Sequence, residues 1–295
     1  MPVISLLSDF GLEDGYVAAM KGVIAGIAPE AALVDITHLV PPQDVAAGRF
    51  RLLTAAPYFP AGTVHLAVVD PGVGMVRRAV AVRSRSGSWF VGPDNGLLLG
   101  ALEMDLPLTA VELTEREFWR TATPSATFHG RDIFAPVAAH LAKGVGLESL
   151  GSEIDTASLV RLQLAPCVKM AGGVRGAVQA VDHFGNLVST LPAGMLAHHP
   201  VWVATVAGHV VPGHRTYGEV APGKPVALAL PVRAEVSLSS REPPRRQEQA
   251  RQKRPGLRRA GSLVWRLRSR SAQVALRAGA SARPARAISP ARRRL

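Results

Sequence analysis

Hydrophobic and polar positions follow two regimes along the chain. Up to about Lys143, short apolar runs alternate with segments of helical period. Val3–Ser8 is a continuous apolar run that stops at Asp9-Phe10-Gly11 and reads as a buried strand. Asp14 stands where it would cap a helix to about Ile27, with Tyr16, Met20, Val23, Ile24 and Ile27 on one face. Ala32–Thr37 predicts a second strand. Gln43–Ala56 predicts a second helix, with Val45, Phe50 and Leu53 toward the core. Thr63–Val69 predicts a third strand, ended by Asp70-Pro71-Gly72-Val73-Gly74, and Ala79–Arg83, Trp89–Val91 and Thr109–Leu113 predict more. Asp132–Lys143 reads as a helix stopped by Gly144. This alternation builds an α/β layer with a largely parallel sheet.

From about Pro166 the helical period disappears. Gly173–Asp182, Leu187–Leu191, Val201–Val206, His209–Val211 and Val226–Leu230 predict short strands joined by turns, hence a small antiparallel β domain. The division is an α/β domain over 1–165, a β domain over 166–240 that stops before it closes, and a tail over 241–295. The tail holds 16 Arg and one Lys against two Glu, so the net charge of +12 belongs to it and the body is close to neutral. Its composition predicts disorder. It reads either as a basic arm for RNA, DNA or acidic surfaces, or as the translated out-of-frame end of a GC-rich gene; nucleic acid is a partner only if the arm functions.

Apolar residues at 47% supply a core, and no apolar run approaches the ~20 residues of a membrane span. A single cysteine, Cys167, excludes an internal disulfide framework and a multi-cysteine metal site. The N-terminus lacks the pattern of a secretory signal, so a soluble cytoplasmic protein is expected.

Four segments carry candidate chemistry. Asp70 follows a buried strand, where α/β sheets place ligands, and the glycines after it let the backbone turn tightly; Asp70 capping that turn is the plainer alternative. His129, in Thr127-Phe128-His129-Gly130-Arg131-Asp132, suits a general base, a polariser of water or a cap. Asp182-His183-Phe184-Gly185-Asn186 offers a carboxylate and an amide around an aromatic ring, or a hairpin turn. Asp9 can accept hydrogen bonds from a ribose diol, or cap the next turn. His198-His199 has no third ligand at metal-binding spacing, so no metal is expected.

In order along the chain, Leu6-Leu7-Ser8-Asp9-Phe10-Gly11, Asp35-Ile36-Thr37-His38, Val69-Asp70-Pro71-Gly72-Val73-Gly74, Pro93-Asp94-Asn95-Gly96, Phe128-His129-Gly130-Arg131-Asp132-Ile133-Phe134-Ala135-Pro136 and Asp182-His183-Phe184-Gly185-Asn186 resemble the S-adenosyl-L-methionine hydroxide adenosyltransferases, relatives of the fluorinating and chlorinating enzymes. The resemblance covers roughly 3–235. It implies a catalytic set of Asp70, Arg77 and His129, ribose contact by Asp9, and a methionine site near Asp182, Phe184 and Asn186, with Phe128 also lining the pocket. It implies hydrolysis of S-adenosyl-L-methionine to adenosine and methionine without a cofactor, in a homotrimer whose active sites lie between domains of neighbouring chains.

In the halogenating relatives the position of His129 is not histidine, and they carry an extra loop in the N-terminal domain that this sequence lacks; Gly130 also departs from the fluorinating pattern, in which a serine helps bind halide, so the resemblance favours hydrolysis over halide-dependent transfer. An inactive, substrate-binding relative is the other alternative. His38, Arg131 and Asp132 read as structural, and Asp94 and Asn95 as pocket wall or turn. After Leu230 the resemblance thins to Glu235, which puts the adenine site in doubt.

Overall fold

The computed structural model describes residues 1–196, 199, 201–230, 235–240 and 273–278. Val3–Ser8 forms β1, buried along nearly its whole length as a strand covered on both faces must be. The chain enters α1 (Tyr16–Ile27) through Gly15, without a side-chain cap, so Asp14 does not play that part. The buried stripe of α1 is Val17, Met20 and Ile24; Tyr16 is turned away from it. β2 (Ala32–Thr37) leads to α2 (Val45–Ala55), whose first turn is capped by Asp44 accepting from the Ala47 N–H at 2.8 Å. The face α2 buries is Ala47, Gly48, Arg49 and Leu52, not the expected Phe50 and Leu53. Gly48 explains the rotation: a Cβ there would lie 2.9 Å from Leu97 Cδ1 and 3.0 Å from Val69 Cγ2.

β3 (Val64–Val68), β4 (Ala79–Ser84), β5 (Trp89–Pro93), the short α3 (Leu99–Leu102) and β6 (Pro107–Glu112) follow. The helix expected from Asp132 begins as a π-turn over Gly130–Phe134 and continues as α4 (Ala135–Ala142), before β7 (Ser152–Ile154). These strands form one sheet in the order β2-β1-β3-β5-β4-β6-β7. It is parallel over β2-β1-β3-β5 and antiparallel beyond. Ile4, Leu6, Val64, Leu66 and Val68 pack with α1 and α4 in one core, while Leu7, Ala67 and Val69 pack with α2 and α3 in another. The period-2 alternation of β1 and β3 thus feeds a core on each face.

This first unit ends at Leu164. The second comprises β8 (Val168–Met170), β9 (Gly173–Val181), β10 (Leu187–Pro192), β11 (Trp202–Val206), β12 (His209–His214), β13 (Pro225–Leu230), β14 (Glu235–Ser240) and β15 (Gln273–Ala278). Its strand order is β10-β14-β13-β12-β11-β15-β9-β8, and β10 also pairs with β9, so the strands from β9 to β15 close a ring. All pairings are antiparallel except β12–β13. Leu187, Leu191, Trp202, Ala204, Val206 and Val211 are among its core residues. Glu235, the last echo of the family pattern, opens β14, which pairs with β13 and β10. The disorder expected of 241–295 concerns residues that, apart from Gln273–Ala278, lie outside those described. That hexapeptide is a strand between β9 and β11. No helix among the described residues is long and apolar enough to cross a membrane.

Candidate active site

β1 and β3 are adjacent and parallel, with Ser8 opposite Val68. β1 leads through α1 to β2 on one side, and β2 returns through α2 to β3 on the other. The chain therefore reverses its strand order between β1 and β3, where open α/β sheets bind ligands at the carboxyl ends. Asp9 and Asp70 leave those two ends.

Asp9 is held by the backbone: the Gln43 N–H donates to its Oδ2 at 2.7 Å. Gln43 adopts φ +63°, an uncommon conformation for a residue with a side chain. The loop after β1 is lashed to the loop after β2. Ser8 Oγ and His38 Nδ1 share a hydrogen bond of 2.7 Å, and the Gly11 N–H donates to the His38 carbonyl at 2.9 Å. His38 Nε2 lies 3.1 Å from Asp35 Oδ1 but is not aligned for a hydrogen bond, so His38 acts as the brace expected of it.

Asp70, Arg77 and His129 meet. Arg77 donates from Nε and from a terminal nitrogen to Asp70 Oδ2, at 2.9 and 2.6 Å. The same terminal nitrogen lies 2.6 Å from His129 Nδ1. A guanidinium has no acceptor, so Nδ1 accepts and the neutral ring carries its proton on Nε2. Burial first, then the charge of Arg77, push the His129 pKa below its ordinary 6.5, against the opposing pull of Asp70 and Asp132. The Arg77 guanidinium stands 5.3 Å from the centre of the buried Phe134 ring. Asp70 Oδ1 is buried and has no hydrogen-bond partner among the described residues, so this carboxylate oxygen keeps its acceptor capacity.

Two supports fix this cluster. Gly74, at φ +74°, lies where a Cβ would come within 2.5 Å of the Ala126 carbonyl oxygen, so the loop carrying Asp70 seats directly on the loop carrying His129. Asp132, fully buried, accepts from Arg131, Arg120 and the Ser125 N–H. Arg131 above all, with these partners, holds its carboxyl well below the usual carboxylate range. Arg131 and Asp132 therefore order the segment before α4, as expected. The π-turn beneath them is a departure from regular helix that recurs at functional sites.

Asp94 and Asn95 resolve to bracing. Asp94 pairs with Arg78 and accepts from the Val160 N–H at 2.8 Å, while Asn95 Nδ2 donates to the Val69 carbonyl at 2.8 Å, just before Asp70. Arg78 also reaches Ser158, so adjacent arginines point to different tasks. Arg78 and Gly74 were not singled out by the sequence; Gly74 was legible only as a turn former.

In the second unit, Asp182 Oδ1 accepts the N–H groups of Phe184 and Asn186 at 2.9 and 2.8 Å, and Asn186 Nδ2 donates to Asp182 Oδ2 at 2.6 Å. Gly185 takes φ +83° to complete the turn. The residues expected at a methionine site, Asp182, Phe184 and Asn186, thus share one hydrogen-bonded turn, with Asn186 buried and Phe184 83% exposed. Phe128, next to His129 in the chain, lines a cavity of the first unit. His198 lies outside the described residues, and no group of three or more His, Cys, Asp or Glu among the described residues is placed to hold a metal.

Family models match most of the chain. The model of the SAM hydroxide adenosyltransferase N-terminal domain matches residues 4–151, and that of the C-terminal domain matches 176–229. The chain belongs to this family. It is 48% identical over 224 residues to the (R)-S-adenosyl-L-methionine hydrolase of Salinispora tropica, covering 76% of this chain and 84% of that protein. It is 47% identical to the protein of the same name from Thermus thermophilus, over 77% and 88% of the two chains. Among solved structures, an uncharacterized conserved protein from Thermotoga maritima superposes with a TM-score of 0.75 at 34% identity, covering 81% of this chain and 94% of that one.

Proposed function

We propose that this chain hydrolyses S-adenosyl-L-methionine to adenosine and L-methionine, with Asp70, Arg77 and His129 as the catalytic set. The observation that carries the reading is the continuous Asp70–Arg77–His129 contact, with Asp70 Oδ1 unpaired among the described residues. The likeness to two named hydrolases supports it.

A sulfonium leaves as a neutral thioether, so its departure needs neither an acid nor a cofactor. The difficulty lies with water, whose pKa is about 15.7. The His129 Nε2–H donates to the water oxygen and aims one lone pair at the ribose C5′. Arg77 lowers the water's proton affinity through its charge. Asp70 Oδ1 accepts the water proton and passes it to solvent. The new O–C5′ bond forms as C5′–S breaks, and the bonding pair stays on sulfur. Opposite charges annihilate along this path, so a site poor in water favours the transition state. Asp9 holds the ribose diol, and Asp182, Phe184 and Asn186 hold the methionine end. The assembly is a homotrimer in the cytoplasm; light scattering of the purified chain at about three times 31.1 kDa supports the trimer, and a monomer mass refutes it.

Purified full-length protein incubated with S-adenosyl-L-methionine should release adenosine and methionine in equal amounts, unchanged by added chloride. Formation of 5′-chloro-5′-deoxyadenosine would instead mark a halide-dependent transferase, and no product at all an inactive relative.

Two further results are expected. Gly74→Ala forces the loop off Ala126 and parts Arg77 from His129. Misplacement of about 1 Å costs on the order of a hundredfold in rate. Circular dichroism should show the fold retained while kcat falls roughly 10- to 100-fold; wild-type kcat would mean the loop seat is irrelevant.

The second concerns pH. Only neutral His129 can accept from Arg77, and its pKa is depressed below 6.5, so kcat should hold at pH 6.5 and fall with one proton only at lower pH. By the same sign, the unfolded chain takes up this proton first, so His129 costs stability as pH drops below 6.5. In His129→Asn that acid limb of kcat should vanish. A limb centred above 6.5 would contradict the assignment.

A further inference from the structure

The residues on either side of His129 in the chain, Phe128 and Gly130, line a cavity of about 330 Å³. Arg131, Phe10, Tyr16 and Met20 are also in its lining. Three rings gather there. Tyr16 stands 6.2 Å from Phe10, nearly perpendicular, and 5.7 Å from Phe128, tilted by 33°. Tyr16 is 45% exposed and Phe128 39%, so the fold leaves both rings open rather than spending them on the core. Tyr16 is available because the buried stripe of α1 begins one residue later, at Val17.

Among the described residues, the lining contains no carboxylate. Its one charged side chain, Arg131, lies over the Phe128 ring at 5.1 Å and is bound through two nitrogens to Asp132. Its charge is therefore already matched. Such a cavity suits a soft cation, which ring faces attract electrostatically. For a sulfonium the choice matters chemically. A carboxylate placed against it would be a nucleophile toward the same activated carbons, whereas a ring face stabilises the charge and is not alkylated.

Position points to the same part of the substrate. Phe10 follows Asp9, and Phe128 and Gly130 flank His129. The sulfur is one bond from the carbon that the water attacks. The adenine is separated from that carbon by the ribose.

Building on the hydrolase reading, we propose that Tyr16, with Phe128 and Phe10, forms the wall that recognises the sulfonium charge. Tyr16 makes the site prefer S-adenosyl-L-methionine to the neutral thioether S-adenosylhomocysteine. A cation–π contact changes affinity by between twofold and about thirtyfold, and acts on the charged ligand alone.

The test is the ratio of dissociation constants for the two ligands, by calorimetric titration of the full chain carrying Asp70→Ala to slow turnover. Adding Tyr16→Leu, and separately Phe128→Leu, should shrink the preference for the sulfonium about fivefold or more, while adding Tyr16→Phe keeps it. Circular dichroism selects the folded variants. The proposal is overturned if both leucine variants keep the parent ratio, or if Tyr16→Phe loses as much as Tyr16→Leu. A chain without Asp70→Ala that makes no adenosine would sink the hydrolase reading instead, a result that the titration does not depend on.

Discussion

An Arg77→Ala enzyme is expected to turn over about a thousandfold more slowly than the wild type, with KM nearly unchanged. Arg77 is the hub of the cluster, joined to Asp70 through two nitrogens and to His129 through one. Its loss removes the positive charge that favours a hydroxide-like nucleophile. Removing one preorganised electrostatic group of this kind costs about 10²–10³ in kcat. It also strands Asp70, whose side chain is only 5% exposed, without a counter-ion, and frees His129 Nδ1 to take the proton. Those losses compound because the three side chains act as one unit. Arg77→Lys should rescue little, since a single ammonium cannot reproduce the forked contact with Asp70 while meeting His129. Single-turnover rates with saturating S-adenosyl-L-methionine decide the matter. A kcat within tenfold of wild type would show that Arg77 is only structural.

The second large effect concerns the other unit. A chain ending after Ser240 should lose the cooperative melting of the β ring while the first unit still unfolds as before. β15 pairs along five positions with β11 and five with β9. Without it the ring gains two open edges, which invite association with other chains. At about 1 kcal/mol net per backbone hydrogen bond, and about one bond per paired position, the loss is of order 10 kcal/mol, comparable with the whole stability of a small domain. Ala275→Pro separates this strand from the basic charge around it, because proline removes a ladder donor and leaves every arginine in place. Calorimetry of both chains should show the same lost transition. If both melt like the wild type, the strand contributes nothing.

These expectations also mark what the amino-acid pattern can carry. β1 and β2 were legible to the residue because Val3–Ser8 and Ala32–Thr37 are bounded by turn residues. α3 was not, because Leu97–Leu102 is apolar throughout and has no period to read. β15 was hidden by composition: Gln-Val-Ala-Leu-Arg-Ala sits among arginines and alanines and becomes a strand through partners about a hundred residues away. Asp70, Arg77 and His129 were named together through motif resemblance, and the fold brings them into contact; spacing alone left Asp70 and His129 open between chemistry and capping. The braces escaped for another reason. Arg78–Asp94, Arg78–Ser158 and Asn95–Val69 join residues 16 to 80 positions apart, and local sequence does not encode such pairings. Tyr16 was misjudged by one helical position, which is the difference between core and cavity.

In the proposed reaction water, held by His129 and Asp70 under the charge of Arg77, attacks the ribose carbon and expels the sulfur. Turnover of S-adenosyl-L-methionine by the full chain in ¹⁸O-water, followed by mass spectrometry of both products, tests it most directly. The expected result is adenosine with one ¹⁸O at its 5′ position beside unlabelled methionine. Adenosine without label, or methionine carrying it, would contradict the account.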